Sequence, residues 1–136
     1  TILSADLKTY NIELETNFET FEEVKIFGVK SELSQVLIAI ISNSIDVLKS
    51  IKNPKIKIEV FSSSAEVIIK IADNGGGIKA KNLKKIFEPY FSTKDEGTGI
   101  GLYLSKMIIE ESFGGKILVE NQKEGAMFSL FIEKAF

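Results

Sequence analysis

Two runs with an apolar residue at every second position, only a short turn apart, constrain the fold of this chain more than any other feature. The first run, KIKIEVF, begins at Lys55, and the second, EVIIKIADN, begins at Glu66. Every second residue in each run is Ile or Val, which predicts two strands with one buried face each. The predicted buried positions are Ile56, Ile58, Val60, Val67, Ile69 and Ile71. The intervening SSSA predicts that the two strands form an antiparallel hairpin.

The other segments with strand-like alternation also come in neighbouring pairs. Residues 12–18 and 24–29 form one pair, and residues 114–122 and 126–134 form a closing hairpin around a turn at 123–125. A doubly wound parallel sheet would instead alternate one strand with one helix. The predicted fold class is therefore α/β (α+β): a two-layer sandwich in which a mixed, mostly antiparallel sheet carries three helices on one face.

Three segments have the period of a helix. Residues 31–50 repeat apolar side chains at steps of three and four, residues 80–86 predict a short helix, and a third helix is predicted from about Gly99 to Ser112. The predicted apolar stripes of the two long helices are Leu33, Val36, Leu37, Ile40, Ile41, Ile45 and Leu48, and Ile100, Leu104, Met107 and Ile108. The long loop before the third helix is of a length that compact domains keep for function or mobility.

Composition excludes several kinds of chemistry. The 136 residues predict one domain, and they include no Cys and no His, which removes disulfides, thiolate metal sites and any histidine base, nucleophile or ligand. A net charge of −2 gives no support to nucleic-acid binding. No apolar run approaches the ~20 residues of a membrane span and no signal peptide opens the chain. Because the first residue is not Met, the chain is predicted to be a fragment of a longer protein.

Asn43 is an unfavourable residue for the interior of a helix, because its amide competes for local hydrogen bonds. It lies on one side of the predicted helix with Gln35, Ala39 and Asp46, at steps of four, four and three. This spacing fits a solvated polar face. It also fits an oxygen ligand for Mg²⁺, which keeps waters and takes most of its other oxygens from phosphates.

The segment DNGGGI follows the second alternating strand. Asp73 ends that strand, and Gly75 and Gly77 allow a sharp turn and a close approach to a ligand. Such a segment is common in ordinary turns. It would also place a carboxylate at the base of a pocket, where it can accept a hydrogen bond from the amino group of adenine. Guanine presents an oxygen at that point, and a buried mismatch of this kind rejects a ligand by ~10⁴.

Two further patterns occupy the long loop and the start of the third helix. Phe87, Tyr90 and Phe91 are crowded together, either to pack back on the core or to anchor a lid whose Lys94 reaches a phosphate. The segment GTGIG, residues 97–101, places glycines where unpaired amides and the helix dipole favour an anion. This spacing is weak as a single motif and also fits a plain glycine-rich loop.

Together and in this order, the four patterns resemble the catalytic ATP-binding domain of sensor histidine kinases, within the wider group of gyrase, Hsp90, histidine kinase and MutL (GHKL) proteins. QVLIAIISNSIDVL is similar to the N box, DNGGGI to the first glycine box, IFEPYFSTK to the F box and GTGIGL to the second glycine box, over about residues 24–133. The resemblance implies a Bergerat ATP-binding fold. It also implies that residues 1–136 are a single catalytic domain, with residues 1–11 as residual linker from a dimerisation and phosphoacceptor domain.

The resemblance implies a role for each matching residue. Asn43 would coordinate the Mg²⁺ that bridges the phosphates, Asp73 would accept from the adenine amine, and Lys94 would be the lid cation near the phosphates. Asn43 and Lys94 are the predicted catalytic residues, and Phe87 and Phe91 would anchor the lid. The predicted nucleotide contacts are Asn43, Asp46, Asp73, Gly75, Gly77, Ile78, Phe87, Phe91, Lys94, Gly97, Thr98, Gly99, Ile100, Gly101 and Leu102.

The function implied by the resemblance is transfer of the γ-phosphoryl group of Mg·ATP to a histidine in two-component signalling. The implied partners are the chain's own dimerisation and phosphoacceptor domain and, indirectly, a response regulator, with no nucleic acid and no membrane contact by this domain. The implied location is the cytoplasm, and whether the parent protein is anchored in a membrane stays open. The isolated domain is expected to be a monomer and the parent a homodimer.

Two residues depart from the family pattern. Ala39 stands where these kinases commonly have a second Asn and where the hydrolytic members have a Glu, and Ala126 stands where a Thr usually shares a water with the adenine-binding Asp. We predict that Ala126→Thr tightens adenine nucleotide binding. Three alternatives stay open: a hydrolytic ATPase, a serine kinase of the anti-sigma type, and a nucleotide-sensing module without catalysis.

Overall fold

The computed structural model describes residues 4–18, 30–89 and 101–133. In chain order its elements are helix α1 (Ser4–Thr9), strand β1 (Glu13–Phe18), helix α2 (Lys30–Leu48), strands β2 (Lys55–Ser62) and β3 (Glu66–Asp73), helix α3 (Ala80–Leu83), helix α4 (Gly101–Met107) with a π-helical continuation at Ile108–Ser112, and strands β4 (Lys116–Asn121) and β5 (Ala126–Glu133). The strand predicted at 24–29 lies outside the described residues.

The five strands form one sheet in the order β1-β2-β3-β5-β4. β2 and β3 are the predicted antiparallel hairpin, with Ile58 opposite Ile71 and Val60 opposite Ile69, and β4 and β5 are the predicted closing hairpin. β3 and β5 are antiparallel, whereas β1 and β2 are parallel. A parallel pair requires a long crossover, and α2 lies in the chain between these two strands. The predicted sandwich with a mixed, mostly antiparallel sheet is confirmed.

The core lies between the sheet and α2. Val36, Ile40 and Leu48 of α2 are buried, as are the predicted apolar residues of β3, while Ile58 and Val60 of β2 are partly buried against the same cluster. By length and composition alone, residues 31–48 would also suit a membrane span. In this fold the apolar stripe of the helix packs on the sheet instead.

Helix α1 was not predicted, because six residues give too little periodicity to recognise. Leu7 and Tyr10 pack against the core, and the ammonium of Lys49 lies 5.1 Å from the centroid of the Tyr10 ring. Part of the segment expected to be a linker is therefore attached to the domain. Its role as a linker stays a prediction.

The apolar stripe predicted for the third helix was partly wrong. Leu104 is 37% exposed, whereas Ser105 and Ile109 are buried. A serine can occupy the buried side because its hydroxyl donates to the carbonyl oxygen of Gly101 at 2.8 Å. The π-helical turn closes with a hydrogen bond from the N–H of Phe113 to the carbonyl of Ile108, which shifts the phase of the helix and leaves Phe113 in the core.

Candidate functional site

The candidate site is organised along one side of α2, where Ala39, Asn43 and Val47 follow each other at steps of four. The start of α4 lies against the first of these, since a Cβ on Gly101 would be 3.8 Å from the Cβ of Ala39. The turn after β3 lies against the last, since a Cβ on Gly75 would be 2.8 Å from Cγ2 of Val47. Two segments that are distant in sequence therefore meet α2 on either side of Asn43.

The amide of Asn43 is half-buried and makes no hydrogen bond with any residue that the structure describes. Its oxygen is therefore available to a ligand from outside the protein. Within the described ranges, no three His, Cys, Asp or Glu side chains are grouped so that they could hold a metal ion by themselves. A single neutral oxygen ligand fits Mg²⁺, which obtains its remaining oxygens from phosphates and water.

Asp46, the other predicted contact on α2, is committed to an ion pair. Its Oδ1 lies 3.2 Å from Nζ of Lys49. The hydrogen bond to Asp46 is the main reason why the pKa of Lys49 is raised above 10.5, with the Tyr10 side chain contributing next. The lysine is therefore charged throughout the physiological range, and it partly neutralises the Asp46 carboxylate.

Asp73 at the end of β3 is held by main-chain donors. Its Oδ1 accepts from the N–H of Gly75 at 2.9 Å and, more distantly, from the N–H of Ala126 at 3.5 Å. Its other carboxylate oxygen receives no hydrogen bond from the described residues. The backbone thus orients the carboxylate although residue 126 has no hydroxyl, and it leaves one acceptor free.

The glycine turn requires glycine for two different reasons. Gly76 and Gly77 have φ of 89° and 83°, a region that residues with a Cβ rarely adopt. Gly75 has no positive φ, but Val47 leaves no space for a side chain there. At Gly77 a Cβ would also lie 2.9 Å from Oδ1 of Asn121. The backbone of the turn is therefore closely packed on two sides, by α2 and by the end of β4.

Sequence reasoning missed Val47 and Asn121. Val47 is 42% exposed beside the Gly75 turn, so it offers an apolar wall to any ring that binds there. Its position four residues after Asn43 was the signal that could have found it. Asn121 accepts from the N–H of Ile78 and donates to its carbonyl, both at 2.7 Å. No local pattern indicates that pairing, which joins residues far apart in the chain.

The remaining predicted residues divide between the core and the segment that is not described. Phe87 lies edge-on to Phe128 with ring centroids 6.2 Å apart, and Nζ of Lys106 lies 5.6 Å from the Phe87 centroid. Leu102 packs partly against the core, while Gly101 is exposed at the first residue of α4. Lying outside the described residues are Phe91, Lys94, Gly97, Thr98, Gly99 and Ile100.

The fold and the site together define an α/β sandwich whose long helix carries a free amide between two glycine-bearing segments. The chain belongs to the family of histidine kinase-, DNA gyrase B- and HSP90-like ATPases, whose model matches residues 28–135. The family predicted from the four motifs is confirmed.

The similar proteins are sensor kinases. Sporulation kinase C of Bacillus subtilis is 30% identical over 132 residues, which cover 97% of this chain and 30% of that protein. The sensor histidine kinase ZraS of Escherichia coli is 35% identical over 133 residues, 96% of this chain and 28% of that protein. The chain thus spans less than a third of the length of these relatives.

Solved structures agree with the fold. The nucleotide-free catalytic domain of the histidine kinase ThkA matches with a TM-score of 0.87 and 32% identity, over 98% of this chain and 86% of that one. ThkA in complex with the response regulator TrrA matches with a TM-score of 0.81 and 28% identity, over 98% of this chain and 37% of that one.

Proposed function

We propose that this domain binds ATP with Mg²⁺ and donates the γ-phosphoryl group to a histidine on a separate dimerisation and phosphoacceptor segment. The observation that carries the proposal is the free amide of Asn43 between two glycine-bearing segments that meet the same side of α2. One of those segments begins with Asp73, and the other continues into α4. The sequence similarity to sensor kinases supports the same activity.

In this proposal each residue has a defined task. The free oxygen of Asp73 accepts from the exocyclic amine of adenine, and Val47 gives the ring an apolar surface. Asn43 would hold a Mg²⁺ ion, which would supply charge neutralisation to the phosphates. The N–H groups at the start of α4, near Gly101, face the polyanion with the positive end of the helix dipole. Lys94 and the residues from 97 to 100 would cover the triphosphate.

A donor role is favoured over hydrolysis by Ala39. The position one turn before Asn43 carries a methyl group that packs against the start of α4, so no carboxylate stands there to activate a water. The chain also has no histidine to receive the phosphoryl group. Phosphoryl transfer requires mostly positioning and charge neutralisation, which this site can supply to an acceptor brought by another segment.

Calorimetry with a non-hydrolysable ATP analogue, with and without Mg²⁺, tests the nucleotide site directly. We expect binding in the micromolar range, weakened at least tenfold by Asp73→Asn, and a Mg²⁺ dependence that Asn43→Ala removes. Asn82→Ala, within α3, is a control that should bind the analogue with the affinity of the wild type. Absence of binding at high micromolar analogue would contradict the proposal.

The transfer step needs the acceptor. Incubation of the domain with labelled ATP and a two-helix segment that carries an exposed histidine should give an acid-labile phosphoprotein, whereas the domain alone should hydrolyse ATP very slowly. An acid-stable product on a protein partner would instead support a serine kinase, and rapid steady-state hydrolysis would support an ATPase. Binding without transfer to either type of acceptor would leave a nucleotide-sensing module.

The remaining parts of the proposal concern the parent protein. By analogy with ThkA, whose complex with a response regulator is known, we propose that the phosphorylated partner passes its phosphoryl group to a response regulator. We propose a cytoplasmic location for this domain, a monomeric state in isolation and a homodimeric parent. Size-exclusion chromatography of the domain with and without its upstream segments tests the last two points.

A further inference from the structure

The glycine turn cannot hold its own conformation. Residues 75–77 are three consecutive glycines, and glycine loses more backbone freedom on folding than any other residue. They carry no side chain that could bond or pack within the turn. The conformation that brings the turn close to a ligand must therefore be imposed by hydrogen bonds from its surroundings.

Those hydrogen bonds come from the β4–β5 hairpin on one side of the turn. Asn121, the last residue of β4, bonds both polar groups of Ile78: Oδ1 accepts from its N–H and Nδ2 donates to its carbonyl, each at 2.7 Å. The N–H of Gly76 donates to the carbonyl of Glu124 at 3.0 Å. Both ends of the Asn121 amide are matched to opposite partners, so rotating the amide would break both bonds.

On the other side of the turn, the side-chain amide of Asn74 makes two hydrogen bonds to the main chain at the start of β2 and just before it. Its Oδ1 accepts from the N–H of Lys55 at 2.8 Å, and its Nδ2 donates to the carbonyl of Asn53 at 2.9 Å. Two asparagine amides therefore bracket the three glycines. Asn74 is part of the glycine segment itself, whereas Asn121 comes from the opposite end of the chain and lies where a Cβ on Gly77 would collide with it.

We infer that Asn121 is a positioning residue for nucleotide binding, acting through the main chain of Gly77 and Ile78. The inference rests on the proposed nucleotide site and extends it to Asn121 in the β4–β5 hairpin, which none of the four motifs contains. Loss of the side-chain amide removes two of the hydrogen bonds that hold the turn and leaves, within the described residues, only those of Gly75 and Gly76, so the turn leaves the binding conformation more often. The apparent affinity then falls with the fraction of molecules that keep that conformation.

The test compares Asn121→Ala, Asn121→Asp and a control, Ser63→Ala, by calorimetry with ADP. The temperature is one at which circular dichroism shows each variant to be folded. Asn121→Ala loses both bonds to Ile78 and should weaken ADP binding about tenfold. Asn121→Asp keeps an acceptor for the N–H but sets a carboxylate oxygen against the carbonyl oxygen of Ile78, so it should weaken binding at least as much as Asn121→Ala. Adenosine serves as a second, uncharged probe. If geometry, and not the added charge of the Asp variant, is responsible, the affinities of the variants should rank in the same order for adenosine as for ADP.

Ser63→Ala is the matched control. Its hydroxyl also holds an exposed turn through main-chain hydrogen bonds, to the N–H groups of Glu66 at 2.9 Å and Ala65 at 3.3 Å, but at the β2–β3 turn. It should leave ADP binding within twofold of the wild type. A second readout is the amide proton resonance of Ile78, which should move upfield in Asn121→Ala and be retained in Asn121→Asp.

The outcomes separate this inference from the function on which it rests. Failure of the wild type to bind ADP would overturn both. Normal binding by the wild type with equal affinity in Asn121→Ala would overturn only the positioning role, as would an equal loss in Ser63→Ala. A tenfold loss confined to the Asn121 variants, in the stated order and with both ligands, supports it.

Discussion

Replacing Gly125 by Ala should damage the proposed nucleotide site through the backbone of Asp73. Gly125 is buried at the point where the β4–β5 turn enters β5. A Cβ there would overlap the main-chain carbonyl oxygen of Asp73 and would lie 2.8 Å from its Oδ1. A strand backbone cannot rotate away as a flexible side chain can. The start of β5 must therefore separate from the end of β3, and the N–H of Ala126 moves away from the carboxylate.

Gly115→Ala provides a control of equal severity. Its Cβ would overlap the carbonyl oxygen of Phe131, in the same hairpin but at the opposite end of its register from residues 121 and 126. Overpacking of this kind costs roughly 1–3 kcal/mol, within the ~5–15 kcal/mol of an ordinary domain. Both variants should therefore fold with similarly reduced stability. Only Gly125→Ala should bind ADP more weakly, by about tenfold, because only it misplaces Asp73.

Urea denaturation followed by circular dichroism gives the two losses of unfolding free energy, and calorimetry at low temperature gives the two affinities of the folded proteins. We expect similar shifts of the urea midpoint and a large difference in affinity between the two variants. Wild-type affinity for ADP in both variants would refute this expectation, since the contact with Asp73 would then have no bearing on binding. An equal loss of affinity in both variants would also contradict it and would point to general loosening of the sheet.

Three further outcomes are expected. Ser44→Ala should raise the unfolding free energy by about 1 kcal/mol in urea titrations, because the buried hydroxyl has no hydrogen-bond partner among the described residues; an unfolding free energy below that of the wild type would show that the hydroxyl is hydrogen-bonded in solution. Ala126→Thr should tighten ADP binding by restoring a hydroxyl near Asp73, and an unchanged or weaker dissociation constant in calorimetry would contradict this. Lys55, 2.5 Å from Glu15, lowers the pKa of that carboxyl below 4.5, chiefly through their hydrogen bond, so the stabilisation exists above that value and is lost as pH falls through the lowered pKa. Glu15→Gln should therefore be slightly less stable than the wild type at pH 7, and the difference should shrink as pH falls through the lowered pKa, or in about 1 M NaCl. The effect is small because both groups are largely exposed; a difference that does not change with pH or salt would assign the effect to packing.

The sheet and the long helix could be predicted because the spacing of their apolar residues indicates which face of each element is buried. β2 and β3 have Ile or Val at every second position over most of their length, and α2 keeps its apolar stripe over its whole length. The apolar stripe predicted for α4 was partly wrong because a polar side chain is buried there and an apolar one is exposed. Ser105 is buried because its hydroxyl bonds to its own helix, and the π-helical turn after Met107 changes the period within the element. Neither event leaves a trace in a pattern of apolar residues.

The candidate site could be predicted from the sequence only where its residues belong to a local motif. Asn43 and Asp73 stand out from their own segments, one as an amide inside a helix and the other as an acid at the end of an apolar strand. What holds the site together is not local, because the turn after Asp73 contacts Val47 on one side and the β4–β5 hairpin on the other. A glycine in the sequence indicates that the backbone comes close to another group, but it does not identify that group. Each motif is therefore weak by itself, and the set becomes specific only because α2 and the hairpin fix the distances between its members.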